Sequence, residues 1–410
     1  MADRRGESYA DGYLDDEIQA FVVSRYCKGM KDAKIREALA KWLGKDPSEL
    51  EEHIVRAEVL QARKNGRLRY EADREEGLAN ALENSLRALP IHATSPKPLI
   101  SPKIEVVATT EPLDIARIGA DRLRVEIISH FRESGREVLN IGFAGGLTPS
   151  LTAKALSELL TTPDVWPDDV YSATPKRKIY FHSIVGSINS SKPEVDPNSF
   201  LIYLASSNRD LRHFPFELRF FRMPAPGVVT WDEYRRLTGK DGRGGFGLIN
   251  DMIQRKDNID IIVASCGHWK ENCSSVYDYL QNVCESNDKL RGPWLDTIAG
   301  LNARKILGDI MWWPIGASGP FRMGHTLRVF SLLDLFDLVK RVTPRQGRDG
   351  MMKPRGKVVL LVGPCSGSEC RESKGKLLSG IMKMPRLPMT HLIVDSRSAR
   401  DCIDHLTVTM

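Results

Sequence analysis

The chain reads as a helical N-terminal unit followed by a doubly wound, mostly parallel α/β domain, and three observations predict it. Apolar residues recur at three- and four-residue spacing from about Leu14 to Leu89. From Val107 onward, short β-rich runs alternate with helical stretches, the mark of a parallel sheet covered on both faces. Several of those runs then end in glycine or other small residues. With 410 residues, 41% of them apolar and 27% charged, the chain can bury one large core or two medium ones, which excludes a disulfide-stapled module or a disordered tail.

In the helical unit, Ile18, Phe21 and Val22 set one apolar stripe, Ile35, Leu39 and Leu43 a second, and Leu50, Ile54 and Leu60 a third. Gly29 breaks the first from the second, Gly44-Lys45-Asp46-Pro47-Ser48 separates the second from the third, and Asn65-Gly66 ends the third as a left-handed cap. Asp46-Pro47 is a start signal, because Asp accepts from the free N–H groups of a first helical turn while Pro needs no partner for the one it lacks. The spacing predicts a three-helix unit over residues 1–89. Pro90, Pro96, Pro98 and Pro102 break any regular helix, so residues 90–107 read as a linker. Residues 108–410 read as the α/β domain. Its strands are expected at Glu137 to Phe143, Lys178 to Ile184, Glu217 to Met223, Ile259 to Ala264, Lys305 to Trp312, Lys357 to Val362 and Thr390 to Val394. No internal repeat or low-complexity tract interrupts them.

Composition narrows the setting. The polar start Met1-Ala-Asp-Arg-Arg leads into no apolar run of signal-peptide or membrane-spanning length, so a cytoplasmic protein with no membrane partner is expected. Seven cysteines, at 27, 266, 273, 284, 365, 370 and 402, form an odd set without a Cys-x-x-Cys pair, which favours reduced thiols. Cys266, His268 and Cys273 have a spacing that matches no usual zinc pattern, so no metal is expected. A formal charge of +6 permits phosphate contacts without forming the dense basic stripe of a dedicated nucleic-acid binder.

The chemistry gathers at strand ends. Val138-Leu-Asn-Ile-Gly142-Phe-Ala-Gly145-Gly146-Leu-Thr148-Pro149 is an apolar strand running through glycines into a helix, with Thr148 set to cap and Pro149 to open it. Glycines admit a ligand close to the backbone and free N–H groups at a helix start attract anions, so the turn can cradle a phosphate. A tight turn without a ligand would use the same residues, and neither a Gly-x-Gly-x-x-Gly nor a Walker spacing is present. Ser265-Cys266-Gly267-His268 and Gly363-Pro364-Cys365-Ser366-Gly367 punctuate two further strand ends. In an open parallel sheet such loops surround one pocket beyond the carboxyl ends of the strands. Gly308-Asp309-Ile310 would put a carboxylate on that rim, either to accept sugar hydroxyls or to cap a loop.

These pieces, in this order from about Leu113 to the C-terminus, resemble the effector-binding domain of SorC-type sugar-responsive transcriptional regulators, relatives of the DeoR type. Ile141-Gly-Phe-Ala-Gly-Gly-Leu-Thr148 is similar to the family's phosphate loop. Val195-Asp-Pro-Asn198 and Arg222-Met-Pro-Ala-Pro226 are similar to its next βα unit, and Asp260 to Gly267 and Gly308-Asp-Ile310 to two of its strand ends. Val359 to Ile403, with Asp395 before a closing helix, resembles its last βαβα segment. The resemblance implies a domain that binds a phosphorylated sugar and catalyses nothing, without a cofactor, in a homo-oligomer (dimer or tetramer). It implies that Gly145, Gly146 and Thr148 hold the phosphate, that Ser265 and Gly267 line the pocket, that Asp309 meets hydroxyls, and that Lys374, or else Lys376, pairs with the ligand. The chain departs from the family in the extra residues after Val362 and in the lack of an arginine after Ser183-Ile-Val-Gly186.

Ile35 to Gly44, with a second helix ending at Ala62 to Leu68, resembles the family's winged helix-turn-helix, and operator DNA is the partner this implies. Arg56, Arg63, Lys64 and Arg67 would reach phosphates, although a solvated helix face accounts for each singly. The second helix opens with Asp46-Pro-Ser-Glu-Leu-Glu-Glu52, whose carboxylates repel a phosphate backbone. Two alternatives follow: a sugar-phosphate isomerase or deaminase of the same fold group, for which only Asp309 is visible as a rim carboxylate, and a sensor whose N-terminal helices bind protein.

Overall fold

The computed structural model describes residues 18–19, 21–23, 25, 30–51, 53–55, 57–59, 73–93, 101–162, 165–171, 176–186, 193–206, 216–223, 227–238, 249, 252, 256–270, 273, 275–311, 313–321, 327–346, 352–365 and 372–407. Its internal contacts divide the chain into two compact units, Met1–Glu71 and Ala72–Met410.

In the first unit, helix α1 (Asp32–Leu43) buries Ile35, Leu39 and Ala40 against Val22, Leu50, Val55 and Val59. That is the stripe the three- and four-residue spacing predicts. Asp46 does cap the next element: its carboxylate accepts from the Ser48 N–H at 2.9 Å, while the Glu49 carboxylate accepts from the Asp46 N–H at 3.1 Å. The element it opens is a 3-10 helix of only three residues, Pro47–Glu49, closed by Leu50 in extended conformation.

The second unit begins with helix α2 (Glu76–Ala88), strand β1 (Lys103–Val107), α3 (Pro112–Glu133), β2 (Val138–Phe143), α4 (Leu147–Leu160), β3 (Arg177–Ser183), α5 (Pro197–Ser206) and β4 (Phe216–Phe221). Next come β5 (Val228–Thr230), β6 (Ile261–His268), α6 (Ser275–Glu285), α7 (Asp288–Ala303), β7 (Gly308–Ile310), β8 (Trp313–Gly316), β9 (Gly319–Pro320) and β10 (Leu327–Val329). The chain closes with α8 (Leu335–Val342), β11 (Arg345–Gln346), β12 (Met352–Lys353), β13 (Lys357–Val362), α9 (Gly375–Met382), β14 (His391–Asp395) and α10 (Ser396–Thr407).

The main sheet runs β1-β14-β13-β6-β2-β3-β4, and every pairing along that path is parallel. Strand β7 extends it as an antiparallel partner of β6, followed by β8 and β9. Two apolar layers enclose the sheet. Ile141, Val263, Leu361 and Ile393 face one layer with Ile115, Leu123, Leu156 and Phe200 from α3, α4 and α5. Ile262, Leu360, Val362 and Val394 face the other, with Leu82, Leu338, Leu377 and Leu406 from α2, α8, α9 and α10. The central strands are therefore apolar on both faces, as their unbroken Val, Ile and Leu runs require. Each such side chain withdrawn from water contributes about 1.5–3 kcal/mol.

The structure departs from the sequence reading in further places. The boundary lies at Glu71/Ala72, well before residue 89. Already at Asp73 and Glu75 the backbone bonds to Ala108 and Val106, and α2 buries Leu82 and Leu86 in the core of the second unit. The expected linker contains β1, which pairs with β14 over five residues. Pro102 precedes its first residue, a place where the missing N–H costs the edge strand little. The strand expected from Lys305 to Trp312 shortens to Gly308–Ile310, because Lys305 and Met311 both have positive φ, 52° and 49°. The helix expected to open at Pro149 opens at Leu147, with Gly146 as its cap residue.

Candidate functional site

Strands β2, β3 and β4 advance toward one edge of the sheet while β6, β13 and β14 occupy the other side, so the order reverses between β2 and β6. In an open α/β sheet, the crevice beyond the carboxyl ends at such a reversal is where ligands are held. Gly145 and Gly146 follow β2 there, and Ser265 to His268 end β6.

Gly146 has φ 122° and ψ 162°, a backbone state that L side chains avoid. An ideal Cβ on it would stand 3.0 Å from the Ser265 hydroxyl oxygen, so Gly146 and Ser265 are neighbours and glycine is needed for space as well as conformation. The Gly146 N–H is already used, donating to the Val195 carbonyl at 2.9 Å. The Leu147 and Thr148 amides are in the first turn of α4, out of reach of any carbonyl of that helix, and Pro149 has no N–H. The cap residue is Gly146, which has no side chain to cap with; Thr148 lies inside the first turn, is buried, and its carbonyl accepts from the Thr152 hydroxyl at 2.8 Å. The anion-attracting group is thus the pair of first-turn amides beside a buried Thr148.

Across β6 a second polar group is assembled. Gly267 and Asp309 are register partners between β6 and β7. An ideal Cβ on Gly308 would be 2.2 Å from the Gly267 carbonyl oxygen and 2.5 Å from Leu377, so only glycine lets β7 close onto the end of β6. Asp309 is 5% exposed and Lys374, the residue before α9, is 6% exposed; Lys376 is exposed. Lys374, Asp309 and the carboxylate of Asp395, the last residue of β14, act together on the Cys266 thiol. Burial pushes that thiol up to about 11, so it is an inert filler at neutral pH. Burial and the Lys374 charge hold His268 below the ordinary histidine range.

Asp395, which the sequence shows only as part of a closing segment, is buried and acts with Asp309 and Lys374 on Cys266. Its Oδ1 accepts from the Ser398 N–H at 2.8 Å, capping α10. Its Oδ2 is buried and has no hydrogen-bond partner among the described residues. Burial raises the affinity of this carboxyl for a proton, against the opposing hydrogen bonds of Ser398 and the charge of Lys374. The signal available in the sequence was the spacing Asp395-x-x-Ser398 at a strand end. Of the other residues singled out, His182 bonds to the Asn140 side chain at 2.9 Å and stacks on Phe221, a packing role. Arg56, Arg63, Lys64 and Arg67 lie outside the described residues.

No protein-family model matches the chain, and no curated protein matches it. Among solved structures it is similar to the full-length sorbitol operon regulator SorC from Klebsiella pneumoniae, at 13% identity over 95% of this chain and 99% of that one, with a TM-score of 0.47. A probable sor operon regulator from Shigella flexneri is similar at 14% identity over 79% and 99% of the two chains, TM-score 0.46. A 6-phosphogluconolactonase from Plasmodium vivax is similar at 12% identity over 80% and 99%, TM-score 0.37.

Proposed function

We propose that this chain is a sugar-phosphate-responsive, DNA-binding transcriptional regulator whose second unit senses its ligand without transforming it. The observation that supports the reading is the meeting of strand ends at the strand-order reversal, where an ideal Cβ on Gly146 would stand 3.0 Å from the Ser265 hydroxyl oxygen, beside the first-turn amides of α4. In this reading those amides and Thr148 take the phosphate. Ser265, Gly267, Asp309 and Lys374 contact the remainder of the sugar. Binding then shifts a homo-oligomer between two arrangements by differential affinity, and the N-terminal helices change their hold on operator DNA.

Thermal unfolding of the full chain against a panel of sugar phosphates tests the pocket. A ligand at a hundred times its dissociation constant adds about 2.7 kcal/mol of apparent stability. Thr148→Ala and Lys374→Ala should each diminish that gain; an undiminished gain in both sinks the site assignment. Operator binding should weaken steeply with added salt. Absence of any DNA binding would move the reading to a sensor whose N-terminal helices bind protein.

One observation favours an enzyme as the second reading: Asp395 and His268 join Asp309 on the rim, which supplies the carboxylate and histidine that proton transfer next to a carbonyl needs. Turnover of a sugar phosphate that disappears in Asp309→Ala would establish it.

A further inference from the structure

The two halves of the rim differ in charge. Beside Gly146 stand backbone amides, which favour an anion. Around Cys266 stand two carboxylates, Asp309 and Asp395, and one ammonium, Lys374, all at least nine-tenths buried. With both carboxylates ionised this half has a formal charge of minus one and repels a phosphate. Asp395 Oδ2 is an acceptor with no donor among the described residues, and a buried acceptor left in that state costs free energy that a ligand hydroxyl would return.

We propose that Asp395 is a specificity-determining residue that reads the polyol end of the ligand: Oδ2 accepts a sugar hydroxyl, while Oδ1 stays on the Ser398 N–H. The inference rests on the sugar-phosphate reading above and adds the ligand's direction, with the phosphate at the start of α4 and the hydroxyl-bearing chain pointing toward the ends of β13 and β14. Lys374 then fixes Asp395 electrostatically from the neighbouring loop and need not meet the phosphate. A ligand with phosphate but no hydroxyl at the far end gains nothing from this half of the rim.

Titration calorimetry of the full chain with hexose 6-phosphates, hexitol 6-phosphates and inorganic phosphate separates these claims. Asp395→Asn keeps an oxygen for Ser398 and replaces the Oδ2 acceptor with a donor. The expected result is a loss of about tenfold or more in affinity for the sugar phosphate that binds wild type best, with inorganic phosphate unchanged within twofold. Equal affinity of Asp395→Asn and wild type for that sugar phosphate overturns the inference and leaves the sugar-phosphate reading standing. If no sugar phosphate binds wild type, the reading itself falls and the inference with it. Should Asp395→Asn fail to fold, monodeoxy analogues of the same ligand on the unaltered chain decide: at least one must lose about tenfold, and a series in which none loses more than twofold overturns the inference.

Discussion

Strands β13 and β14 have a buried polar cluster at each end, and the two are built differently. At the amino end, Glu126 of α3 pairs with Lys357 and stands 3.1 Å from His391 Nε2. His391 Nδ1 lies 2.9 Å from the Thr390 hydroxyl, which in turn accepts from the Val358 N–H at 2.9 Å and donates to the Val358 carbonyl at 3.1 Å. The hydroxyl, histidine and carboxylate are connected in the order of a hydrolytic triad, yet the hydroxyl is held by backbone on both sides. At the carboxyl end, Lys374, Asp309 and Asp395 are equally withdrawn from water, but Asp395 Oδ2 has no hydrogen-bond partner among the described residues. At the amino end the groups are paired in charge, with His391 Nε2 held by Glu126 as an ion pair and not by an aligned hydrogen bond, whereas at the carboxyl end a buried carboxylate oxygen is left for another group to answer. The same strands thus anchor the fold at one end and, in the proposed reading, meet a ligand at the other.

The largest effect should come from breaking the charge-paired cluster at the amino end. Glu126→Ala should lower the free energy of unfolding by about 3 kcal/mol, because it strands the buried His391 and half-exposed Lys357 without their carboxylate; urea titration at neutral pH reads it. A loss below about 1 kcal/mol would show that this end is no tighter than the other. Acid sharpens the contrast. Burial pushes the Glu126 carboxyl up, and the His391 and Lys357 polar contacts with the Lys357 charge outweigh it, holding the group at about 2 against 4.5 unfolded. The folded value is depressed, so its stabilisation is complete above 4.5 and is lost as pH falls toward 2, about 3 kcal/mol in all. Glu126→Ala should be flat over that window. Asp395 has the opposite sign: its folded value is raised, so its contribution is most favourable at low pH and declines as pH rises through the folded value.

Gly146→Ala should cost about 2 kcal/mol, since a residue with a Cβ must adopt φ 122° and crowd Ser265; the same urea titration measures it, together with weakened phosphate binding. The smallest effect is expected for Asp395→Asn in the absence of ligand, within about 1 kcal/mol of wild type, because the cap on Ser398 survives and a buried charge is removed. A large loss there would make Asp395 a structural residue like Glu126 and erase the difference between the two ends.

Local chemistry made much of this visible. Strand β13 was legible to the residue, because five consecutive apolar positions, Val358 to Val362, between Lys357 and Gly363 suit a strand buried on both faces. The Asp46-Pro47 cap was legible too, though residue type does not show that the helix it opens stops at Glu49. Strand β1 was hidden: its five residues include Lys103 and Glu105, and prolines nearby argue for a spacer until β14 supplies a partner. Thr148 has the hydroxyl that a helix cap favours. The positive φ of Gly146 and the closeness of Ser265 decide otherwise, and both are tertiary facts. Asp395 and Lys374 are 21 residues apart, and nothing local announces that their charges meet.

The most direct test is a crystal structure of the chain grown with the sugar phosphate that stabilises it most. Phosphate oxygens should lie within hydrogen-bonding distance of the Leu147 and Thr148 amides, with a sugar hydroxyl on Asp395 Oδ2. A phosphate seated on Lys374 instead, or a crevice closed to any ligand in the panel, would contradict this placement.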